Sequence, residues 1–199
     1  MNLEVPDIDK MRKRLVELVI EHAFQYSEPP SFKLAHGGMS SFYFNCKKVT
    51  LDPEGQYIIG NLIFEALSGL ELDGVGGLTL GADALANAAT YTSWVKGKPF
   101  QSFIVRKKQK DHGIVAAIEG KVKAGDRVVV LDDVVTTGAS TLQAIEACRE
   151  AGFEILGALA LVDRQEMSGR QNIEKEVPFL KSLVTCEEVM AVYRKTALL

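Results

Sequence analysis

The sequence predicts an α/β fold with a central, mostly parallel sheet flanked by helices. From Pro53 onward, strand-like runs alternate with segments of helical period, the pattern that builds such sheets. The runs "VVVL" and "LGALALV" are apolar at every position, as expected of strands covered on both faces.

Taken in order, residues 8–24 place Met11, Leu15, Leu18, Val19 and His22 near one face of an amphipathic helix. "SEPPSFKLAHGGMSSFYFN" follows as a turn-rich, partly extended segment. After Pro53, the positions Ile58, Ile59, Leu62, Ile63, Ala66, Leu67 and Leu70 keep helical spacing. "GVGGLTL" then reads as a strand, Ala82 to Val95 as a helix, "FQSFIV" as a strand and "RVVVLDD" as another. Ser140 to Ala151 suits a helix ended by Gly152, followed by the strands "EILGALALV" and "KSLVT". Thr185 and Glu188 form a capping-box pattern that opens a last helix, "CEEVMAVYRK". Residues 1–199 are read as one domain, with 51–199 forming the α/β core and C-terminal helix.

Composition narrows the classes of function. The 199 residues carry a formal net charge of -3, so no global basic field invites nucleic acid. Cys46, Cys148 and Cys186 lie far apart, without metal-site spacing, and suit reduced thiols that fill apolar space. The first residues lack the order of a secretory signal and no apolar run reaches the length of a membrane span. The expectation is a cytoplasmic protein that binds neither membrane nor nucleic acid.

Open α/β sheets bind ligands outside the carboxyl ends of their strands, which directs attention to "TLGAD", "LDDVVTTGAS" and "LVDRQ". In the second, a polar turn runs into a helix. Unpaired N–H groups there, with the hydroxyls of Thr136, Thr137 and Ser140, would cradle a phosphate. Gly138 would let the backbone approach closely. Asp132 and Asp133 cannot bind that phosphate; they suit hydroxyl donors or a magnesium shell, so the ligand carries sugar hydroxyls as well. The plainer reading is that the two acids only end a strand. No Lys follows the Gly as in a Walker A loop, and the three-glycine dinucleotide fingerprint is missing.

"VVVLDDVVTTGAS" closely resembles the phosphoribosyl pyrophosphate-binding motif of type I phosphoribosyltransferases. The resemblance implies that Asp132 and Asp133 contact ribose hydroxyls, and that Val134, Val135, Thr136, Thr137, Gly138, Ala139 and Ser140 form the cradle of the 5′-phosphate. "RKKQKDHG", "LVDRQE" and "FKLAHGGMSSFYFN" resemble, in that order, the mobile loop, the orotate-side strand end and the hood of orotate phosphoribosyltransferases. The type I fold so implied carries a small hood, built from the N-terminal segment (residues 1–50, with the first helix) and the C-terminal region. The implied reaction joins orotate to phosphoribosyl pyrophosphate and yields orotidine 5′-phosphate and pyrophosphate, as in de novo pyrimidine synthesis.

Arg106, Lys107, Lys108 and Lys110 put four cations within five residues of an acidic chain. Such a run is often a solvated turn. Beside a phosphate site it suits stabilisation of the departing pyrophosphate, with His112 as a further donor. Arg106, Lys107, Lys110 and His112 are therefore expected to bind phosphoribosyl pyrophosphate; Arg106, Lys110 and His112, with Asp132 and Asp133, form the expected catalytic set. The resemblance also implies a homodimer in which loop 106–113 completes the neighbouring active site. Arg164 suits the carboxylate or carbonyls of orotate, or else pairs with Asp163 or Glu166. Thr136 contacts orotate by the same resemblance. Mg2+ is expected through substrate oxygens, with no direct protein ligand.

The chain departs from many family members by having Ala35 and Gly81 where they carry Lys, and Met39 where a basic residue is common. Backbone N–H groups of Gly81, Ala82 and Asp83 would then hold pyrophosphate as a nest. Two rival readings are a purine phosphoribosyltransferase and a non-catalytic, nucleic-acid-binding regulator of the same fold. The regulator would need an extended basic face or an added domain.

Overall fold

Helix α1 (Ile8–Leu18) begins at Asp7, whose carboxylate accepts the Lys10 N–H at 3.1 Å. The computed structural model describes residues 7–33, 37–106 and 118–197. Leu15, Val16 and Leu18 are buried along α1, and a π turn follows over Val19–Ala23. That wider turn hands the buried face on to Ala23, so His22, expected on the same face, is exposed.

The segment expected to be turn-rich, together with Phe24–Tyr26 just before it, forms two small antiparallel pairs. β1 (Phe24–Tyr26) pairs with β4 (Phe42–Phe44), and β2 (Phe32–Lys33) with β3 (Met39–Ser40). Leu34, Ala35 and His36 lie outside the described residues. Next come α2 (Lys47–Thr50), α3 (Pro53–Leu67), β5 (Gly74–Leu78), α4 (Asp83–Val95), β6 (Gln101–Val105) and β7 (Ile118–Gly120). The chain continues through β8 (Arg127–Val135), α5 (Ala139–Glu150), β9 (Glu154–Asp163), α6 (Gly169–Glu174), β10 (Leu180–Thr185) and α7 (Cys186–Ala197). The expected capping box opens α7: Thr185 donates its N–H to Glu188 at 2.8 Å, and its hydroxyl accepts the Glu188 N–H at 3.2 Å.

The main sheet has the order β10-β9-β8-β5-β6-β7, parallel throughout except for the antiparallel edge β7. Two differences from the expected boundaries matter. β5 ends at Leu78, leaving Thr79 and Leu80 to a turn, and β8 runs past Asp133 to Val135. The short α2, α6 and β7 were not anticipated.

Side chains of β8 alternate between two cores. Val129 and Leu131 pack on the side of α1, α3, α4 and α7, while Val128 and Val130 face α5 and α6. The first core carries the hood, because Phe24 packs at a tilt against Phe44 and meets Tyr193 of α7 edge-on at 5.4 Å between centroids. The hood thus joins N-terminal strands to the C-terminal helix, directly over the carboxyl ends of β8 and β9. No helix among the described residues is long and apolar enough to cross a membrane.

Candidate active site

A cleft of about 310 Å³ lies between the hood and the strand ends. Its floor is Asp132, Val134 and the turn from Thr136 to Ser140, its roof includes Phe32, Lys33 and Tyr43, and Arg164 and Met167 stand at the side. β8 is long enough to deliver both acids and the turn to one place. Its extra residues correct the expected cradle. Val135 is buried in the second core, and its carbonyl accepts the Arg164 N–H at 3.0 Å, so its side chain belongs to packing.

The turn is built around Gly138, which begins α5 with φ 80° and no capping side chain. A Cβ at that position would lie 3.0 Å from both the Gly169 carbonyl oxygen and the Ile173 side chain. The left-handed backbone and the close neighbour together demand glycine. Leu142 N–H takes the Gly138 carbonyl at 2.8 Å, as the helix begins, while Ala139 N–H has only a long 3.3 Å contact to the Thr137 hydroxyl. With Gly138, Ala139 and Ser140 lining the cleft, the positive end of the α5 dipole is offered to an anion.

Asp132 is buried, accepting the Thr141 hydroxyl at 2.6 Å and the Asp133 N–H at 3.0 Å. Burial pushes its carboxyl up to about 7; the Thr141 bond opposes that rise and the Asp133 charge adds to it. Asp133 is more open, and Lys47 of α2 reaches it at 3.5 Å. Gly81 closes over the pair, since a Cβ there would meet Asp133 Oδ1 at 2.6 Å.

Arg164 follows β9 and is 7% exposed. Its Nη2 donates to the Ser40 hydroxyl at 2.9 Å, the Phe42 carbonyl at 3.1 Å and Glu166 at 2.6 Å. Ser40 also donates to the other Glu166 oxygen at 3.0 Å, tying the hood to the end of β9. The alternative pairing with Glu166 is therefore present, while Asp163 pairs with Arg170 at 2.8 Å. Arg164 nonetheless lines the cleft, and its buried Nε–H has no protein partner.

Other expected residues fall elsewhere. Arg106 sits after β6, exposed, 3.6 Å from Glu119, and does not line the cleft. Lys107, Lys108, Lys110, His112 and Gly113 lie outside the described residues. The expected nest loses a donor, because Ala82 N–H is taken by the Leu78 carbonyl at 3.2 Å. Sequence reasoning missed Thr141, Lys33 and Lys47. Thr141 carries a signal, one helical position beyond Ser140, but the two lysines sit among unremarkable surface residues and only the fold brings them over the site.

Comparison with known proteins agrees with this geometry. Residues 75–191 match the model of the phosphoribosyl transferase domain family. An orotate phosphoribosyltransferase of Aquifex aeolicus is 45% identical over 179 residues, covering 90% of this chain and 97% of that relative. The solved orotate phosphoribosyltransferase of Mycobacterium tuberculosis, in complex with Fe(III) dicitrate, superposes with a TM-score of 0.76 at 33% identity, over 90% of this chain and 98% of its own. The same enzyme in complex with phosphoribosyl pyrophosphate gives 0.69 at 27% identity, over 94% and 93%. The chain belongs to the phosphoribosyl transferase family and, within it, to the orotate phosphoribosyltransferases.

Proposed function

We propose that this cleft transfers the ribose 5-phosphate of phosphoribosyl pyrophosphate to orotate. The 5′-phosphate rests on the open start of α5, Asp132 and Asp133 accept from the ribose hydroxyls, and orotate lies under the hood beside Thr136 and Arg164. A ring nitrogen of orotate bonds to C1 of the ribose as the C1–O bond breaks. The electron pair leaves with pyrophosphate, and the nitrogen gives up its proton. Positioning and charge stabilisation carry such a step. The observation that supports this reading most is the juxtaposition, around one cleft, of an uncapped helix start with the Arg164 guanidinium group. One asks for a phosphate and the other for a carboxylate or carbonyl.

Magnesium fits this site as a companion of the substrate. Among the described residues no three His, Cys, Asp or Glu side chains converge as a metal cage. Asp133, largely covered at 18% side-chain exposure, suits a magnesium-bound water better than a direct bond. The ion would supply charge neutralisation along pyrophosphate.

In the same reading the enzyme is a cytoplasmic homodimer, and Lys110 with its loop completes the partner's site. α3 and α4, packed side by side, leave Tyr57, Tyr91 and Trp94 largely exposed, an aromatic face suited to a second copy. Cys46, Cys148 and Cys186 are free and buried, which suits a reducing compartment.

Incubation with magnesium, phosphoribosyl pyrophosphate and each base tests the reaction, followed by the absorbance loss of orotate. Orotate consumption is expected; adenine or xanthine turnover without it overturns the assignment. For the dimer, Lys110→Ala and Arg164→Ala chains are each expected to be nearly inactive, and to regain activity when mixed and allowed to exchange subunits. Failure to complement places the loop over its own site.

A further inference from the structure

The acidic end of the cleft poses an electrostatic problem. Asp132 and Asp133 put two carboxyl groups beside the place where, in the function proposed above, a polyphosphate must lie. Each phosphate brought near them is repelled unless a cation stands between. The neighbouring turn supplies none: it reads Thr79, Leu80, Gly81, Ala82, and its Ala82 N–H is already bonded to Leu78. The backbone there offers the partial charge of the α4 start but no full cation.

A cation does reach this end, from the start of α2. Lys47 is the first residue of α2, which follows the hood strand β4. Its Nζ stands 3.5 Å from Asp133 Oδ2, and among the described residues it is the side chain ion-paired to the two acids. The other oxygen of that carboxylate is the one a Cβ on Gly81 would meet at 2.6 Å. Lys47 thus stands one carboxylate's width from the glycine turn. It is also half open to solvent, at 52% side-chain exposure, so its three donors are not consumed by Asp133. The 3.5 Å separation is long for a charge-assisted hydrogen bond, and such a contact is readily exchanged for a better acceptor.

We propose that Lys47 is a pyrophosphate-side cation of this enzyme: it holds Asp133 in the free protein and turns to the pyrophosphate oxygens when ribose hydroxyls occupy that carboxylate. The exchange preserves charge balance. Asp133 gives up an ammonium and gains hydroxyl donors, while the ammonium gains phosphate oxygens. Because the bond to pyrophosphate lengthens in the reaction, a fixed charge on the leaving side assists departure as well as binding.

This inference rests on phosphoribosyl pyrophosphate being the substrate, and the experiment separates the two. Titration calorimetry with magnesium measures binding of phosphoribosyl pyrophosphate, pyrophosphate and ribose 5-phosphate to the full chain, to Lys47→Ala and to Lys47→Arg. In Lys47→Ala, phosphoribosyl pyrophosphate and pyrophosphate should each weaken by about tenfold or more, the loss of one charge-assisted contact. Ribose 5-phosphate, which lacks the pyrophosphate, should change by less than about twofold, and the orotate KM likewise. Lys47→Arg should restore most of the loss. Unchanged pyrophosphate binding in Lys47→Ala overturns the inference. So does an equal weakening of ribose 5-phosphate, since Lys47 would then act only by holding Asp133. If the parent chain itself fails to bind phosphoribosyl pyrophosphate, the functional reading fails instead.

Discussion

Two helix starts in this molecule are built on opposite rules. α3 begins at Asp52, whose carboxylate accepts the Gly55 N–H at 3.0 Å, and Pro53 follows at a position where no donor is needed. α5 begins at Gly138, with no capping side chain, at the mouth of the cleft. The first start caps its Gly55 donor with its own side chain and, through Pro53, presents one donor fewer. The second has no capping side chain, only a long contact from Ala139 N–H to the Thr137 hydroxyl, and its first residues line the cleft. An uncapped helix start of this kind, next to two acids on a buried strand, is what the proposed anion site requires.

The largest expected effect comes from disturbing the open start. Gly138→Ala places a Cβ on a left-handed residue, 3.0 Å from the Gly169 carbonyl. The strain is on the order of 1–2 kcal/mol. The turn must shift, and with it the donors aimed at the 5′-phosphate. Binding of phosphoribosyl pyrophosphate and of ribose 5-phosphate should both fall by about a hundredfold, while circular dichroism stays native. Ribose 5-phosphate affinity that survives the substitution would mean that the phosphate sits elsewhere.

A smaller effect tests the acids behind that start. The folded protein raises the Asp132 carboxyl from its ordinary 3.8 to about 7, chiefly through burial. Between those values the folded chain holds a proton that the unfolded chain has released, so stability falls as pH rises through that window and stays reduced above it. Asp132→Asn should flatten this decline and raise Tm at pH 8 by several degrees, while weakening phosphoribosyl pyrophosphate. Ribose hydroxyls favour the charged form, so binding near pH 7 should release protons. Calorimetry in two buffers of different ionisation enthalpy reads that release. Equal release by Asp132→Asn and the parent would show that another group supplies the protons.

The same contrast explains what was legible in the sequence. Continuous apolar runs announced β8 and β9, and "DDVVTTGAS" announced the polar turn into α5, because both are local patterns with a fixed period or a fixed turn. The Thr185–Glu188 box was equally local and is present. The hood was only partly legible: β1 to β4 are strands of two or three residues, stabilised by Phe24, Phe44 and Tyr193 from distant parts of the chain. Lys47 and Ser40 were missed for the same reason, since the residues they meet, Asp133 and Arg164, lie 86 and 124 positions away. The pyrophosphate nest was expected from a glycine, but β5 ended early and its turn took back the Ala82 N–H.

The smallest effect belongs to the closed start and serves as the control. Asp52→Ala removes the acceptor of the Gly55 N–H and leaves Pro53 in place. Loss of a single cap costs about 1 kcal/mol, which for a chain of this size lowers Tm by roughly 2–4 °C. Nothing in the cleft depends on that carboxylate, so KM for orotate and phosphoribosyl pyrophosphate should hold. The two glycine- and aspartate-led starts then separate by readout: α5 changes ligand affinity with modest loss of stability, and α3 changes stability alone. A tenfold rise in either KM for Asp52→Ala, with the expected small drop in Tm, would show that α3 and the α2 turn before it transmit strain to Lys47, and the division between structural and functional helix starts would have to be redrawn.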